Sequence, residues 1–221
     1  MKEMTNTDKM DNHKIIVAGI GPGNPDYMLP AARKAIDEAN VLVGGSRVLA
    51  DYAKHDGEQR TMTIKRDIAA VMTFIRDELT SSDVVVMVSG DPGYFSLLDA
   101  IRREFPADVI SVIPGISSIQ FAFARLALPW HDAEFLSFHG RRPSDEALKF
   151  IPGRKIGMLT DRKYTSRTIP TILMEMGWPS DARLYIASRL SYSDERIVET
   201  TLAGAADVDE TTDCVLVVTS L

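Results

Sequence analysis

The sequence predicts an α/β protein of two α/β domains, the first an open, mostly parallel sheet and the second a mixed sheet. Three observations predict it. Up to Leu128-Pro129-Trp130, short β-rich apolar runs alternate with stretches of helical period, the pattern of an open α/β sheet. The run Asp83 to Val88 is apolar at nearly every position after the first, as in a strand covered on both faces. After Trp130 the last three strand-like runs follow one another with little helix between them, which predicts mixed or antiparallel pairing. No internal repeat is evident.

The elements follow in order. Residues 1–13 are polar and read as a loose tail. Lys14 to Ile20 is a first strand, stopped by Gly21-Pro22-Gly23-Asn24-Pro25. Met28 to Ala39 is helical, with Leu29, Ala32, Ala35, Ile36 and Ala39 on one face. Val41 to Val43 is a second strand, ended by Gly44-Gly45. A short helix follows near Val48 to Ala53, then a strand near Thr61 to Ile64. Ile68 to Leu79 is an amphipathic helix, with Ile68, Val71, Met72, Ile75 and Leu79 on its apolar side. The strand Asp83 to Val88 ends at Ser89-Gly90-Asp91-Pro92-Gly93, and a helix runs from there to Phe105. Val109 to Ile113 is a strand, ended by Pro114-Gly115-Ile116-Ser117-Ser118, with a helix to Leu128. Beyond Trp130, strands are expected at Ala133 to Phe138, Lys155 to Leu159, Arg183 to Ala187, Arg196 to Thr201 and Cys214 to Thr219. One helix is expected at Ile169 to Met176. The domain boundaries read from this are 14–130 and 131–221.

Composition narrows the function classes. A length of 221 residues, 45% of them hydrophobic, suits one large or two small globular domains. No run approaches the ~18–20 apolar residues of a membrane span. With 25 Lys+Arg against 31 Asp+Glu, the net charge of −6 argues against a nucleic-acid partner. The single cysteine, Cys214, excludes an intrachain disulfide and a multi-cysteine zinc site. His13, His55, His131 and His139 show no ligand spacing, so no protein-bound metal is expected. The N-terminus lacks the apolar core of a secretory signal, which points to the cytoplasm.

Three of the clearest strands end in loops of Gly, Pro and small polar residues: Gly19–Pro25, Ser89–Tyr94 and Pro114–Ser118. Ligands of open α/β sheets bind at the carboxyl ends of the strands, and glycine there permits close backbone approach. The other reading of each loop is a tight turn. The first loop fails the dinucleotide fingerprint: its sixth position is Asn24, Pro22 removes a donor, and no acid follows Val41-Leu42-Val43. The Gly-Lys-Ser/Thr of a phosphate-binding loop is absent too.

Gly19-Ile20-Gly21-Pro22-Gly23, Ser89-Gly90-Asp91-Pro92 and Pro114-Gly115-Ile116-Ser117-Ser118, in this order and spacing, resemble the tetrapyrrole methylase family. The resemblance runs from Lys14 to the C-terminus. Val43-Gly44-Gly45-Ser46-Arg47, Gly93-Tyr94-Phe95-Ser96-Leu97-Leu98, Leu128-Pro129-Trp130 and Ser137-Phe138-His139-Gly140-Arg141 are similar to the branch that methylates C5 of precorrins or cobalt-precorrins in cobalamin biosynthesis. The chain ends too early to hold the second domain of the fused C5,C15 enzymes. The resemblance thus implies a stand-alone C5 enzyme, a homodimer, with a separate C15-methyltransferase/decarboxylase as possible partner. Asn24 stands where the family often has Asp.

What the resemblance implies for the site is specific. The cofactor is S-adenosylmethionine, in a cleft between the domains. Ser89, Gly90, Asp91, Tyr94, Ile116, Ser117 and Ser118 would hold its methionine and sulfonium end. Thr160, Asp161 and Leu190 would hold adenosine. Gly21, Pro22, Gly23, Asn24, His139 and Arg141 would meet the tetrapyrrole, whose carboxylates call for a local cationic patch. Arg142, Arg162 and Lys163 are further candidates for that patch. Asp91 and Ser117 or Ser118 are equally good helix caps, and Glu195 is either functional or a surface acid. No catalytic residue is assigned, because transfer from an activated sulfonium to an electron-rich ring carbon asks mainly for positioning. Alternatives are a methyltransferase of the same fold acting on rRNA or a diphthamide precursor, a nucleotide-dependent oxidoreductase, and a non-catalytic sensor of S-adenosylmethionine.

Overall fold

A computed structural model describes residues 13–54 and 57–220. The tail expected over 1–13 lies outside the described residues apart from His13. The chain forms two units, one ending at Ser117 and the next beginning at Ser118.

The first unit is a five-stranded, fully parallel sheet of β1 (Ile15–Gly19), β2 (Val41–Gly44), β3 (Arg60–Thr63), β4 (Val84–Val88) and β5 (Ile110–Ile113), in the order β3-β2-β4-β1-β5. Its helices are α1 (Pro30–Glu38), α2 (Ser46–Tyr52), α3 (Ile68–Glu78) and α4 (Leu98–Glu104). The apolar runs are explained by burial on both faces. Ala18, Leu42, Val85 and Met87 pack with Ala32 and Ile36 of α1 and Leu49 of α2. Val17, Val43, Val84 and Val86 face the other way, onto Val71, Met72 and Ile75 of α3 and Ile101 of α4. Each such Val, Leu or Ile contributes about 1.5–3 kcal/mol relative to exposure. Asp67 caps α3, its carboxylate accepting the Ala70 N–H at 3.0 Å.

Two helices start later than their periodicity predicts. Met28 and Leu29 precede α1, because Pro25–Tyr27 forms a 3-10 turn and Pro30 takes the first helical position. Leu29 is consequently exposed. Residues 91–97 are not helical. Phe95 sits at φ 48 and the Ser96 hydroxyl donates to the Pro92 carbonyl, which spends as turns the positions expected to open the helix.

The second unit carries β6 (Glu134–Ser137), β7 (Lys155–Leu159), β8 (Arg183–Ser188), β9 (Arg196–Thr201) and β10 (Val215–Thr219), in the order β6-β7-β10-β8-β9. Only β6–β7 is parallel, so the sheet is mixed. Its helices are α5 (Ser118–Arg125), α6 (Asp145–Leu148) and α7 (Thr168–Glu175). Ile156, Met158, Leu184, Ile186, Leu216 and Val218 form one face with Ile169 and Leu173 of α7. On the other face α5 lies close, because β7 offers Gly157 there: a Cβ would meet Phe123 at 3.1 Å and Ile119 at 3.3 Å. That packing places α5 in the second unit, so the compositional break at Leu128-Pro129-Trp130 follows its first helix. α5 stops short of Leu128. Ala127 turns to φ 51 and the Leu128 N–H closes on the Phe123 carbonyl at 3.1 Å. The four-residue α6 was not expected from the sequence. Ser144 caps it, and buried Arg154 holds it to the sheet by donating to the Ala147 carbonyl at 2.8 Å while pairing with Glu134.

Candidate functional site

β4, β1 and β5 are adjacent and parallel, so the loops that follow them emerge side by side. They interlock through backbone. The Gly90 N–H donates to the Gly21 carbonyl at 2.8 Å, and the Gly21 N–H returns to Gly90 at 3.4 Å. A Cβ on Gly115 would stand 2.2 Å from the Gly90 oxygen and 2.9 Å from the Gly19 carbonyl carbon. A Cβ on Gly19 would meet the Gly115 nitrogen and Gly90 oxygen, each at 2.7 Å. The glycines expected to admit a ligand therefore first admit one another. Gly21 and Gly90, at φ 76 and 70, need the left-handed region as well.

Asp91 is not a helix cap, since no helix begins until Leu98. One carboxylate oxygen accepts the Gly93 N–H at 2.8 Å and the other accepts the Gly115 N–H at 3.0 Å. Asp91 is thus the cross-tie between the second and third loops. Asn24 uses its side-chain oxygen on the Asp26 N–H at 2.9 Å, which starts the Pro25–Tyr27 turn. Tyr94 is part-buried with its ring edge-on to Phe95, and burial pushes its phenol up. Ser117 is buried, Ile116 and Ser118 are partly so, and Ser89 is exposed.

In the second unit β6, β7 and β8 share one direction, with β10 antiparallel between the last two. The segments after β6, β7 and β8 and the one before β10 therefore meet at one edge. Asp161 joins two of them. It accepts the Gly140 N–H at 2.9 Å, and the Lys163 and Tyr164 N–H groups at 2.8 and 2.7 Å. These bonds, chiefly from Tyr164 and then Gly140, hold its carboxyl below the usual carboxylate range. The Thr160 hydroxyl accepts the Cys214 N–H at 2.7 Å and donates to the Cys214 carbonyl at 2.9 Å. Burial pushes the Cys214 thiol up to about 11, so it is a packed thiol and not a thiolate nucleophile. His139 and Arg141, expected to meet substrate, and Thr160, Asp161 and Leu190, expected to meet cofactor, all lie at this edge.

Leu190 carries the observation most suggestive of a ligand. The residue is buried, yet among the described residues its N–H and C=O enter no hydrogen bond. The Leu190 backbone therefore offers one donor and one acceptor that no described residue takes up. Nearby cations are also available. Arg142 pairs with Asp145, whereas Arg141 and Arg162 are exposed and, among the described residues, in no ion pair. Glu195, left open in sequence, binds the Ser191 N–H and Arg125. The supporting roles of Arg125, of Arg154 and of Ser166, whose hydroxyl accepts the Thr211 N–H at 2.8 Å, were not expected, because their partners lie distant in sequence.

Two cavities lie away from these loops. One of about 390 Å³ is lined by His13, Asn40 and Asp83, at the start of the parallel strands. The other, of about 300 Å³, lies among Phe150, Pro179 and Thr219 at the far edge of the second sheet. Among the described residues no three His, Cys, Asp or Glu side chains group as metal ligands, and no helix is long and apolar enough to cross a membrane.

Residues 14–206 match the family model of tetrapyrrole (corrin/porphyrin) methylases. The chain is 33% identical over 183 residues to a cobalt-precorrin-7 C(5)-methyltransferase of Salmonella typhimurium, covering 83% of this chain and 88% of that protein. Its fold is similar to that of a precorrin-6Y methylase, CbiE, from Archaeoglobus fulgidus, with a TM-score of 0.67, 23% identity and coverage of 94% and 97% of the two chains. It is also similar to a uroporphyrin-III C-methyltransferase from Thermus thermophilus, solved with S-adenosylhomocysteine, with a TM-score of 0.72, 20% identity and coverage of 93% and 97%.

Proposed function

From the premise that this chain belongs to the tetrapyrrole methylases and uses S-adenosylmethionine, we propose that it methylates C5 of a precorrin or cobalt-precorrin, precorrin-6Y or cobalt-precorrin-7, in cobalamin biosynthesis. The observation that carries this reading is the 33% identity, over most of both chains, with a protein named for that reaction. The family-like stretches Gly93 to Leu98 and Ser137 to Arg141 support the same branch.

The residues at hand suit the cofactor. Its adenosine has donors and acceptors for the unpartnered Leu190 N–H and C=O, and the hydroxyls of Ser89, Ser117 and Ser118 are proposed to meet its methionine end. When bound, S-adenosylmethionine supplies a methyl group already activated by its sulfonium. The protein's own task is then to bind and orient, which is worth up to about 7–11 kcal/mol when reactants are well aligned. Ser89, Gly90, Tyr94, Ile116, Ser117, Ser118, Thr160 and Leu190 are proposed to form the cofactor site. Asp91 and Asp161, whose oxygens are engaged by backbone N–H groups, are proposed to shape it. Gly21, Pro22, Gly23, Asn24, His139 and Arg141 are proposed to face the acceptor, with Arg141 free to meet a carboxylate. A homodimer and a separate protein for C15 methylation and decarboxylation complete the reading and rest on the resemblance alone; a cytoplasmic location is proposed with them.

Incubation with methyl-labelled S-adenosylmethionine and, in turn, precorrin-6Y and cobalt-precorrin-7 tests it. Carbon NMR of the product should place the label on C5. A label on another ring carbon would refute the assigned position, and cofactor binding without transfer to either acceptor would refute catalysis. Arg141→Ala should raise KM for the tetrapyrrole about tenfold, the size of one lost charge-assisted hydrogen bond. It should leave affinity for S-adenosylhomocysteine unchanged.

A further inference from the structure

The turn between β8 and β9 is held in a conformation that its sequence does not favour. Arg189 and Ser191 sit at φ 53 and 70, a region taken readily by Gly, Asn and Asp and by few others. Leu190 lies buried between them. Strain of this kind persists only where the surroundings over-determine it.

Here the determining group is Glu195. One of its oxygens accepts the Ser191 N–H at 2.7 Å, and the other meets Arg125 Nε at 2.7 Å. Its own N–H donates to the Tyr192 carbonyl at 3.0 Å, closing the turn from the far side. Arg125 is the last residue of α5, and its guanidinium lies 4.5 Å from the centroid of the Phe121 ring one turn earlier. Phe121 is buried, so the cation is anchored to a fixed aromatic face. Arg189 pairs with Asp194 at 2.9 Å on the exposed side of the turn. That contact lies in water and is the weaker restraint. A continuous set of contacts therefore runs from the helix that starts at Ser118 to the turn at Leu190.

We infer that Glu195, held by Arg125, is a positioning residue for the cofactor. It keeps the Ser188–Ser191 turn in the conformation that leaves the Leu190 N–H and C=O open to a ligand. It acts through Ser191 and touches neither reactant. The inference rests on the assignment of Leu190 to the cofactor made above.

The test uses the full chain with Glu195→Ala and Glu195→Gln. Three quantities are measured: the Kd for S-adenosylhomocysteine by calorimetry, hydrogen exchange of the Ser191 amide, and KM for each substrate. Glu195→Ala should free the Ser191 amide and raise Kd about tenfold, as for one lost hydrogen bond to a charged group. KM for the tetrapyrrole and kcat at saturating cofactor should not move. Glu195→Gln keeps an oxygen for the Ser191 N–H and should bring Kd back to within about threefold of the unaltered protein. Two results would overturn the inference: a freed Ser191 amide with unchanged Kd, or equal loss of affinity in both variants, which would mean that the charge itself meets the ligand. If the unaltered protein fails to bind S-adenosylhomocysteine, the cofactor assignment of Leu190 falls and the positioning role falls with it. The exchange data would still report whether Glu195 holds the turn, which separates that failure from the first two.

Discussion

The two sheet edges hold their loops together by opposite means. In the first unit the loops after β1, β4 and β5 touch backbone to backbone: Gly19 and Gly115 work because they lack a side chain, and Gly21 and Gly90 because they take a positive φ. In the second unit side chains do the tying: Asp161 after β7 reaches Gly140 after β6, Thr160 reaches Cys214 before β10, and Glu195 closes the β8–β9 turn on Ser191. The first arrangement has no slack, since a carbonyl and a peptide nitrogen fill the space a Cβ would need. The second is a set of separate hydrogen bonds, each removable at its own cost. Asp91 is the one carboxylate in the first edge that works in the manner of the second.

This contrast sets the order of expected damage. Gly115→Ala is the most severe, because its Cβ would fall 2.2 Å from a backbone oxygen that cannot swing away. It should cost about 3 kcal/mol or more in urea unfolding, at the upper end for overpacking. Gly45→Ala, which meets nothing within 4 Å, should cost under about 1 kcal/mol, the part due to its place at the helix cap. Equal losses in the two variants would dissolve the contrast. In the second edge, Thr160→Val keeps the shape but strands the Cys214 N–H. The expected cost is about 1–3 kcal/mol by the same measurement; no loss would show the hydroxyl to be dispensable.

The smallest effect depends on pH. Backbone donors depress the folded-state pKa of Asp161. Its stabilisation is therefore present above the unfolded value near ~3.9 and fades as pH falls through the lower folded value. The stability gap between the unaltered protein and Asp161→Asn should be widest near about pH 7 and close toward about pH 2. A gap independent of pH would place the effect in geometry and not in charge.

The same contrast explains what could be read in advance. The parallel sheet was legible because two-sided burial writes itself as runs such as Val84 to Val88. The glycine loops were legible because few residues other than Gly tolerate φ values like those of Gly21 and Gly90. The mixed character of the second sheet followed from the lack of helices between its last strands. The start of α4 was missed because the Asp91–Gly93 and Ser96–Pro92 contacts compete locally with a helix that the apolar pattern alone would allow. Glu195 stayed ambiguous, and Arg125 and Arg154 unnoticed, for another reason. Their partners are fixed by the fold: Arg125 and Glu195 belong to different elements, and nothing near either one in sequence announces the other.

The strand order β3-β2-β4-β1-β5 also bears on how the chain is made. β1 leaves the ribosome before the other strands of its sheet, yet it pairs with neither of the next two. Its partners are β4 and β5, so Ile15 to Gly19, buried at four of five positions in the finished sheet, has no strand to join until Val84 to Val88 has been synthesised. During that interval β2 and β3 can pair with each other while β1 remains an unmatched apolar segment, the kind of exposure that chaperones recognise. The glycine edge closes later still, when Gly115 arrives, and becomes the last part of the first unit to exist.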